Sequence, residues 1–216
     1  CACYRSRDTS DMAPLVVFEG IDGSGKSTQI QILHDTLVQK GYNPLLTREP
    51  GGTPLGETVA HWLKTYPNRS PLAELFLFAA ARAEHVAQVI QPALDQGRIV
   101  LCDRFTASTL AHQGYGRGLD LEMIAQVNRH AAQGLQPSLT IFLDVPVATA
   151  DSRKDTDSLD VFEREGSEFR QKARQGYSAM AADDHGGWLV IDGSLSKESI
   201  ARIVWERVQS LLAGAS

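Results

Sequence analysis

Cysteine is scarce: three residues in 216, Cys1, Cys3 and Cys102, with no paired CxxC spacing, so the chain offers neither a disulfide framework nor a four-cysteine metal site. A reducing, cytoplasmic compartment is the expected setting. Long apolar runs are missing too. None approaches the roughly 18 residues of a membrane span, and the polar N-terminus lacks the apolar middle of a signal peptide. A soluble protein with no membrane partner is expected. Positive charge is not in excess either: 21 Lys plus Arg face 26 Asp plus Glu, a net charge of −5. That excludes a broad basic face for nucleic acid, so any anionic partner must be small and held locally. At 43% hydrophobic and 22% charged the chain falls outside the disordered class, and its length suits one ordinary domain.

Residues 1–12 read as a disordered extension, because Cys1 to Asp11 is polar and aperiodic, and Met12 reads as the natural start. Cys1-x-Cys3 has no second ligand pair nearby, so no metal is expected there. Beyond it, short β-branched runs alternate with stretches of helical period. Strands are predicted over Leu15 to Glu19, Pro44 to Thr47, Ile99 to Cys102, Leu139 to Leu143 and Trp188 to Ile191. Helices are predicted over Lys26 to Lys40, Leu55 to Lys64, Pro71 to Gln96, Phe105 to Gln113, Leu121 to Gln133, Val147 to Arg153, Glu163 to Ala182 and Lys197 to Leu212. The pattern predicts an α/β fold, a five-stranded parallel sheet with helices on both faces, whose ligands sit beyond the carboxyl ends of the strands. No repeat or linker divides residues 13–216, which read as one domain. Asp151 to Glu168 stands apart, with seven acids against three bases. A solvated loop and a mobile lid over a site both fit it.

Directly after the first strand comes Gly20-Ile21-Asp22-Gly23-Ser24-Gly25-Lys26-Ser27, with Thr28 next, which matches GxxxxGKS/T at the opening of a helix. Glycines let the backbone curl into a ring of N–H donors around phosphate, and the helix adds the positive end of its dipole. Lys26 is expected to reach the outer phosphates of a bound nucleotide and Ser27 to join the shell of a Mg²⁺ ion. Such a loop does not by itself separate a kinase from a GTPase, an ATPase or a passive nucleotide binder.

The third strand ends in Cys102-Asp103-Arg104-Phe105. Asp103 fits a Mg²⁺ partner and Arg104 a clamp on an acceptor phosphate, although an Asp after a strand also serves as a simple cap. The second strand leads into Thr47-Arg48-Glu49-Pro50-Gly51-Gly52-Thr53, a stiff, tight loop that presents Arg48. Phe78 and Arg82 lie four apart on one helix face, where a ring can stack on a base while a guanidinium reads its carbonyl. Core packing is the competing role for Phe78. His34, His61, His85, His130 and His185 have no metal-ligand spacing and read as surface or helix-end residues. Cys102 reads as an inert buried residue and Trp205 as a packing residue. Gly114-Tyr115-Gly116-Arg117-Gly118 reads as a flexible loop carrying Arg117 toward phosphate.

The run from Val17 through the P-loop, the TREPGGTPLGE loop, the LFAAARAEH helix and DRFTASTLAHQGYGRG together resembles bacterial thymidylate kinase, from Leu15 to about Gly118, with weaker likeness beyond. The resemblance implies a P-loop kinase fold, usually a homodimer, that transfers the γ-phosphoryl group of ATP to dTMP with Mg²⁺. It implies further that Asp22 lies near the acceptor sugar and metal, and that Arg48 and Arg104 hold the dTMP phosphate. Phe78 would stack on thymine and Arg82 bond its O4, while Ser108, Thr109, His112 and Gln113 would line the base and sugar pocket. Arg153 would lie over adenine, and Asp192-Gly193 would meet the adenine edge. Lys26, Asp22, Arg48 and Arg104 form the implied catalytic set.

Two departures stand out. Thymidylate kinases bring a cation to the transferring phosphoryl group from a P-loop Arg or from the lid, here residues 151–164. Gly23 holds the P-loop position, and Thr156-Asp157-Ser158-Leu159-Asp160-Val161-Phe162-Glu163 replaces the lid pattern without its two arginines. Lys154 and Arg164 are the candidate substitutes. A nucleotide-binding paralogue of little or no activity is therefore the alternative to a kinase, as is a kinase with a relaxed pyrimidine monophosphate acceptor. The second departure is His112, where the family has Tyr or Phe near the sugar 2′ position: weaker discrimination against ribonucleotides is one expectation, and a tolerated substitute without effect is the other.

Overall fold

The computed structural model describes residues 13–66, 69–153, 166–184 and 186–214. The extension assigned to residues 1–12 and most of the lid assigned to 151–164, including Lys154 and Arg164, lie outside the described residues. Five strands form one all-parallel sheet: β1 (Leu15–Glu19), β2 (Leu45–Arg48), β3 (Val100–Asp103), β4 (Leu139–Asp144) and β5 (Trp188–Asp192), in the order β2-β3-β1-β4-β5. Each follows the expected apolar run within a residue or so at either end. The three central strands are buried on both faces because helices cover both.

On one face Val16, Phe18, Leu101, Ile141 and Leu143 pack against Ile30, Leu33 and Leu37 of α1 (Lys26–Gln39) and Ile200, Val204 and Val208 of the C-terminal helix α8 (Lys197–Gly214). Trp205 packs at the margin of this cluster, as expected. The alternate strand residues Leu15, Val17, Val100 and Cys102 face Val86, Ile90 and Leu94 on the other side. Burial pushes the Cys102 thiol well up, which keeps it the inert residue expected.

The remaining helices are α2 (Pro54–Thr65), α3, α4, α5 (Leu121–Ala131), α6 (Val147–Asp151) and α7 (Ser167–Asp183). Three of them start on side-chain caps. Thr53 accepts from Gly56 N, Ser70 from Ala73 N and Asp120 from Met123 N, with Pro54 and Pro71 pre-set at the first helical position. α3 runs over Pro71–His85, widens into a π turn at Val86–Ile90 and continues as Gln91–Asp95. α4 is Thr106–Thr109 followed by a π segment, Leu110–Gly116. This corrects the flexible loop expected over residues 114–118. Arg117 pairs with Glu74 at 3.3 Å and stacks 4.8 Å over the Phe169 ring, so its guanidinium is committed away from the phosphate loop. Among the described residues no helix is long and apolar enough to cross a membrane.

Candidate active site

Strand register assembles the site. Phe18 of β1 and Arg48 of β2 both pair with Asp103 of β3, so three neighbouring strands end at one level. The phosphate loop leaves β1 there. Gly20, Gly23 and Gly25 all have φ near or above +84°, the region glycine enters without strain. At Gly23 a Cβ would overlap the Ala150 carbonyl oxygen, so this position excludes any side chain, an arginine included. Helix α1 opens at Lys26 with no side-chain cap, leaving its first amides to the loop.

Lys26 is almost fully buried, and its Nζ donates to the carbonyl oxygens of Gly20 and Ile21 at 2.9 and 3.0 Å. Burial, reinforced by the nearby Arg104 charge, lowers its pKa to about 8. An ammonium held in this way gains from any anion that replaces its lost water. Ser27 Oγ donates to Asp103 Oδ2 at 3.0 Å, while Asp103 Oδ1 is buried without a hydrogen-bond partner among the described residues. A hydroxyl beside a carboxylate with one orphaned oxygen is a hard oxygen donor set, and it fits Mg²⁺ held jointly with substrate phosphates.

A cavity of about 320 Å³ opens beside this point. It is lined by Asp22, Arg48, Phe78, Arg82, Asp103, Arg104, Ser108, Thr109, His112 and Gln113, so nearly all the acceptor residues named from sequence meet in one cleft. Arg104 leaves β3 with φ of 71°, a left-handed conformation costly for a residue with a side chain. Its fork is held by Asp22 Oδ1 at 2.6 Å, Ser108 Oγ at 3.1 Å and Tyr177 Oη at 3.2 Å. Arg48 is exposed and pairs with Glu57 at 2.7 Å. Phe78 is half-buried at the wall of the cleft and also packs on Val59, Leu63 and Ala81. Arg82 is 2% exposed and donates to Glu49, Asn128 and the Phe105 carbonyl, using three of its five N–H donors. Gln113 donates to Glu74 at 2.6 Å. His112 contacts the Ser108 carbonyl through Nδ1 at 2.8 Å, which places the proton on Nδ1 and leaves Nε2 an acceptor. Burial and the Arg104 charge lower its pKa to about 4, so the ring is neutral. Arg153 is exposed just past α6 and lies outside the cleft lining, at the Ala150 end that faces Gly23.

Several residues of the site escape a reading of motifs. Glu19 is fully buried, accepts from the Phe105 and Ser108 amides, the Ser108 hydroxyl and Tyr177 Oη, and so fixes the chain that carries Arg104. Burial raises its pKa. Glu49 accepts from Arg82 at 2.8 Å and from His85 Nδ1 at 3.1 Å, while His85 Nε2 meets Thr47 Oγ1 at 2.7 Å. His85 does end the first part of α3, but it is wholly buried as a brace for the Arg48 loop, which corrects its reading as a surface residue. On α7, Arg170, Arg174 and Tyr177 share one face by spacing of four and three. Arg170 lines the cleft, donates to the Asp22 carbonyl at 3.1 Å and pairs with Asp151. That spacing was the only sequence signal for it.

Residues 18–204 match the sequence model of the thymidylate kinase family. The chain belongs to the thymidylate kinase family. It is 46% identical over 200 residues to the thymidylate kinase of Desulforudis audaxviator, covering 91% of this chain and 90% of that one. To the thymidylate kinase of a Synechococcus strain it is 48% identical over 197 residues, covering 91% and 95%. Its fold is similar to the crystal structure of the Ehrlichia chaffeensis thymidylate kinase, with a TM-score of 0.75, 35% identity and coverage of 91% and 98%. For this family member, the phosphate loop, the Asp103-Arg104 strand end and the cleft form one continuous site.

Proposed function

We propose that the protein transfers the γ-phosphoryl group of ATP to the phosphate of dTMP, giving ADP and dTDP. The observation that carries this reading is the convergence of the Lys26 loop, the Ser27–Asp103 pair and the Arg48, Arg104, Phe78 and Arg82 side chains on one cleft. A dTMP phosphate oxygen attacks the γ-phosphorus as the bond to the β-phosphate oxygen breaks, so positioning and charge do most of the work. Amides of the loop from Gly20 to Thr28 and Lys26 hold the ATP phosphates. Arg104 and Arg48 hold the acceptor phosphate, with Asp22 orienting Arg104 and facing the acceptor sugar. Phe78 stacks on the base and Arg82 offers its remaining donors to a base carbonyl, while Ser108, Thr109, His112 and Gln113 close the pocket. Ser27 and Asp103 would hold Mg²⁺, which supplies charge neutralisation on the phosphates. Arg153 serves the adenine side, residues 151–164 act as the lid of a single kinase domain over 13–216, and the protein works in the cytoplasm as a homodimer.

Steady-state release of ADP with dTMP, ATP and Mg²⁺ tests the reading. Turnover of dTMP well above that of Lys26→Ala is expected. Wild-type protein no faster than that variant would overturn the kinase assignment. Equal kcat/KM for dUMP would instead assign a broader pyrimidine monophosphate acceptor.

A further inference from the structure

Four arginines line the cleft, Arg48, Arg82, Arg104 and Arg170, and Arg117 and Arg174 lie near it; their partners divide them, with Arg48 exposed and paired to Glu57. Arg82 is locked by Glu49, Asn128 and Phe105, and Arg117 by Glu74. Arg174 makes a two-pronged pair with Asp144, Nε to Oδ1 at 2.5 Å and Nη2 to Oδ2 at 3.0 Å. Arg104 is engaged by Asp22, Ser108 and Tyr177. Arg170 differs. Its side chain is only 8% exposed, yet its guanidinium is held by a main-chain carbonyl of the phosphate loop, that of Asp22, and by Asp151, a carboxylate 47% exposed. Burial lowers its pKa from the ordinary arginine value, though far from any pH at which it would lose charge. Among the described residues its counter-charges, Asp151 and the nearby Asp22, are both partly solvated, and this buried cation is tied to the phosphate loop while lining the adjoining cleft.

We propose that Arg170 is the cation that stabilises charge on the transferring phosphoryl group, an arginine finger supplied from helix α7 within the same chain. Its planar fork gives donors in the geometry of two phosphoryl oxygens, and its bond to the Asp22 carbonyl fixes it against the phosphate loop. The interaction is made only as charge spreads over the equatorial oxygens, so it acts on kcat and leaves ground-state binding of either nucleotide almost unchanged. The inference rests on the phosphoryl-transfer reading above. Wild-type turnover separates the two: without it the kinase reading fails, and with it the Arg170 variants alone decide.

The test is Arg170→Met and Arg170→Lys, each measured for kcat, KM for dTMP, ADP affinity, and affinity for the mixture of ADP, aluminium fluoride and dTMP that mimics the transition state. Arg170→Met is expected to lose about 10³-fold in kcat, with a matching loss for the aluminium fluoride complex, while ADP affinity and KM for dTMP stay within a few-fold. Arg170→Lys keeps a charge for Asp151 and is expected to fall between. If Arg170→Met does not fold, Arg170→Lys carries the test, because a merely structural role would lower thermal stability without selective loss of the aluminium fluoride complex. Retained kcat, a rise confined to KM for dTMP, or undiminished binding of the aluminium fluoride complex would each overturn the proposal.

Discussion

Arg104 and Asp22, 82 positions apart, meet at 2.6 Å between Nη2 and Oδ1 where β3 and the phosphate loop end side by side. The pair sets a guanidinium against the loop that holds the phosphoryl donor. It also accounts for the left-handed backbone of Arg104, since the strain is offset by three acceptors and by Glu19 beneath. Replacing Arg104 with Met is expected to lower kcat/KM for dTMP about ten- to a hundred-fold, the worth of one hydrogen bond to a charged group. The loss should appear in both kcat and KM, and unchanged acceptor kinetics would remove Arg104 from the acceptor site.

Lys26 gives a pH prediction with a definite sign. Its folded pKa of about 8 lies below the ordinary 10.5, so between these values the unfolded chain holds a proton that the folded chain has released. The stability penalty of burying the ammonium is therefore fully present below about pH 8 and relieved as pH rises toward 10.5. Catalysis runs the other way. In the free enzyme kcat/KM for ATP should fall as pH passes about 8, and Lys26→Arg, slow but permanently charged, should lack that limb.

Glu49 is expected to be the most costly single loss near the site. Its carboxylate is 5% exposed and serves both Arg82 and His85, so Glu49→Ala strands a buried guanidinium. A destabilisation of about 3–5 kcal/mol is expected in urea unfolding, together with a raised KM for dTMP as the Arg48 loop loosens. A variant as stable as wild type would show that water re-solvates Arg82.

His112 lines the cleft, and the proposed function sets it near the acceptor sugar. Neutral, with Nδ1 committed to the Ser108 carbonyl and Nε2 left as an acceptor, its ring offers a ribose 2′-hydroxyl a hydrogen-bond partner that a phenyl ring lacks. His112→Phe is expected to raise the kcat/KM preference for dTMP over ribothymidine monophosphate several-fold. Because its pKa is about 4, the wild-type preference should stay flat across neutral pH. An unchanged preference in the variant would make the substitution neutral.

The legible part of this protein was local. Runs such as LVVFE and LTIFL announced buried parallel strands, and the Gly20 to Ser27 spacing carried both a conformation and a chemistry. Asp22, Arg48, Asp103 and Arg104 reappear in one cleft because each follows or closes a strand, which is where a doubly wound sheet puts its ligands, while Phe78 and Arg82 reach it from helix α3. The illegible part was the support beneath. Glu19, Glu49, His85 and Tyr177 act through partners 33 to 158 positions away, a separation that periodicity cannot register. The π segment at Leu110–Gly116 was hidden for another reason. Its glycines look like loop residues, but Gly114 and Gly116 are the points at which Leu121 and Phe169 approach too closely for a Cβ.

The shared rung of Phe18, Asp103 and Arg48 sets a tolerance on the whole machine. One residue of strand advances the chain by about 3.3 Å and turns the next side chain to the opposite face. An insertion or deletion within β3 would therefore carry Asp103 off its level with Ser27 and swing Arg104 away from Asp22, even with every apolar position refilled. Strand length in this protein is a chemical ruler, so length changes during divergence should collect in the connections before the strands, while the stretch from each buried core to its carboxyl end keeps a fixed count.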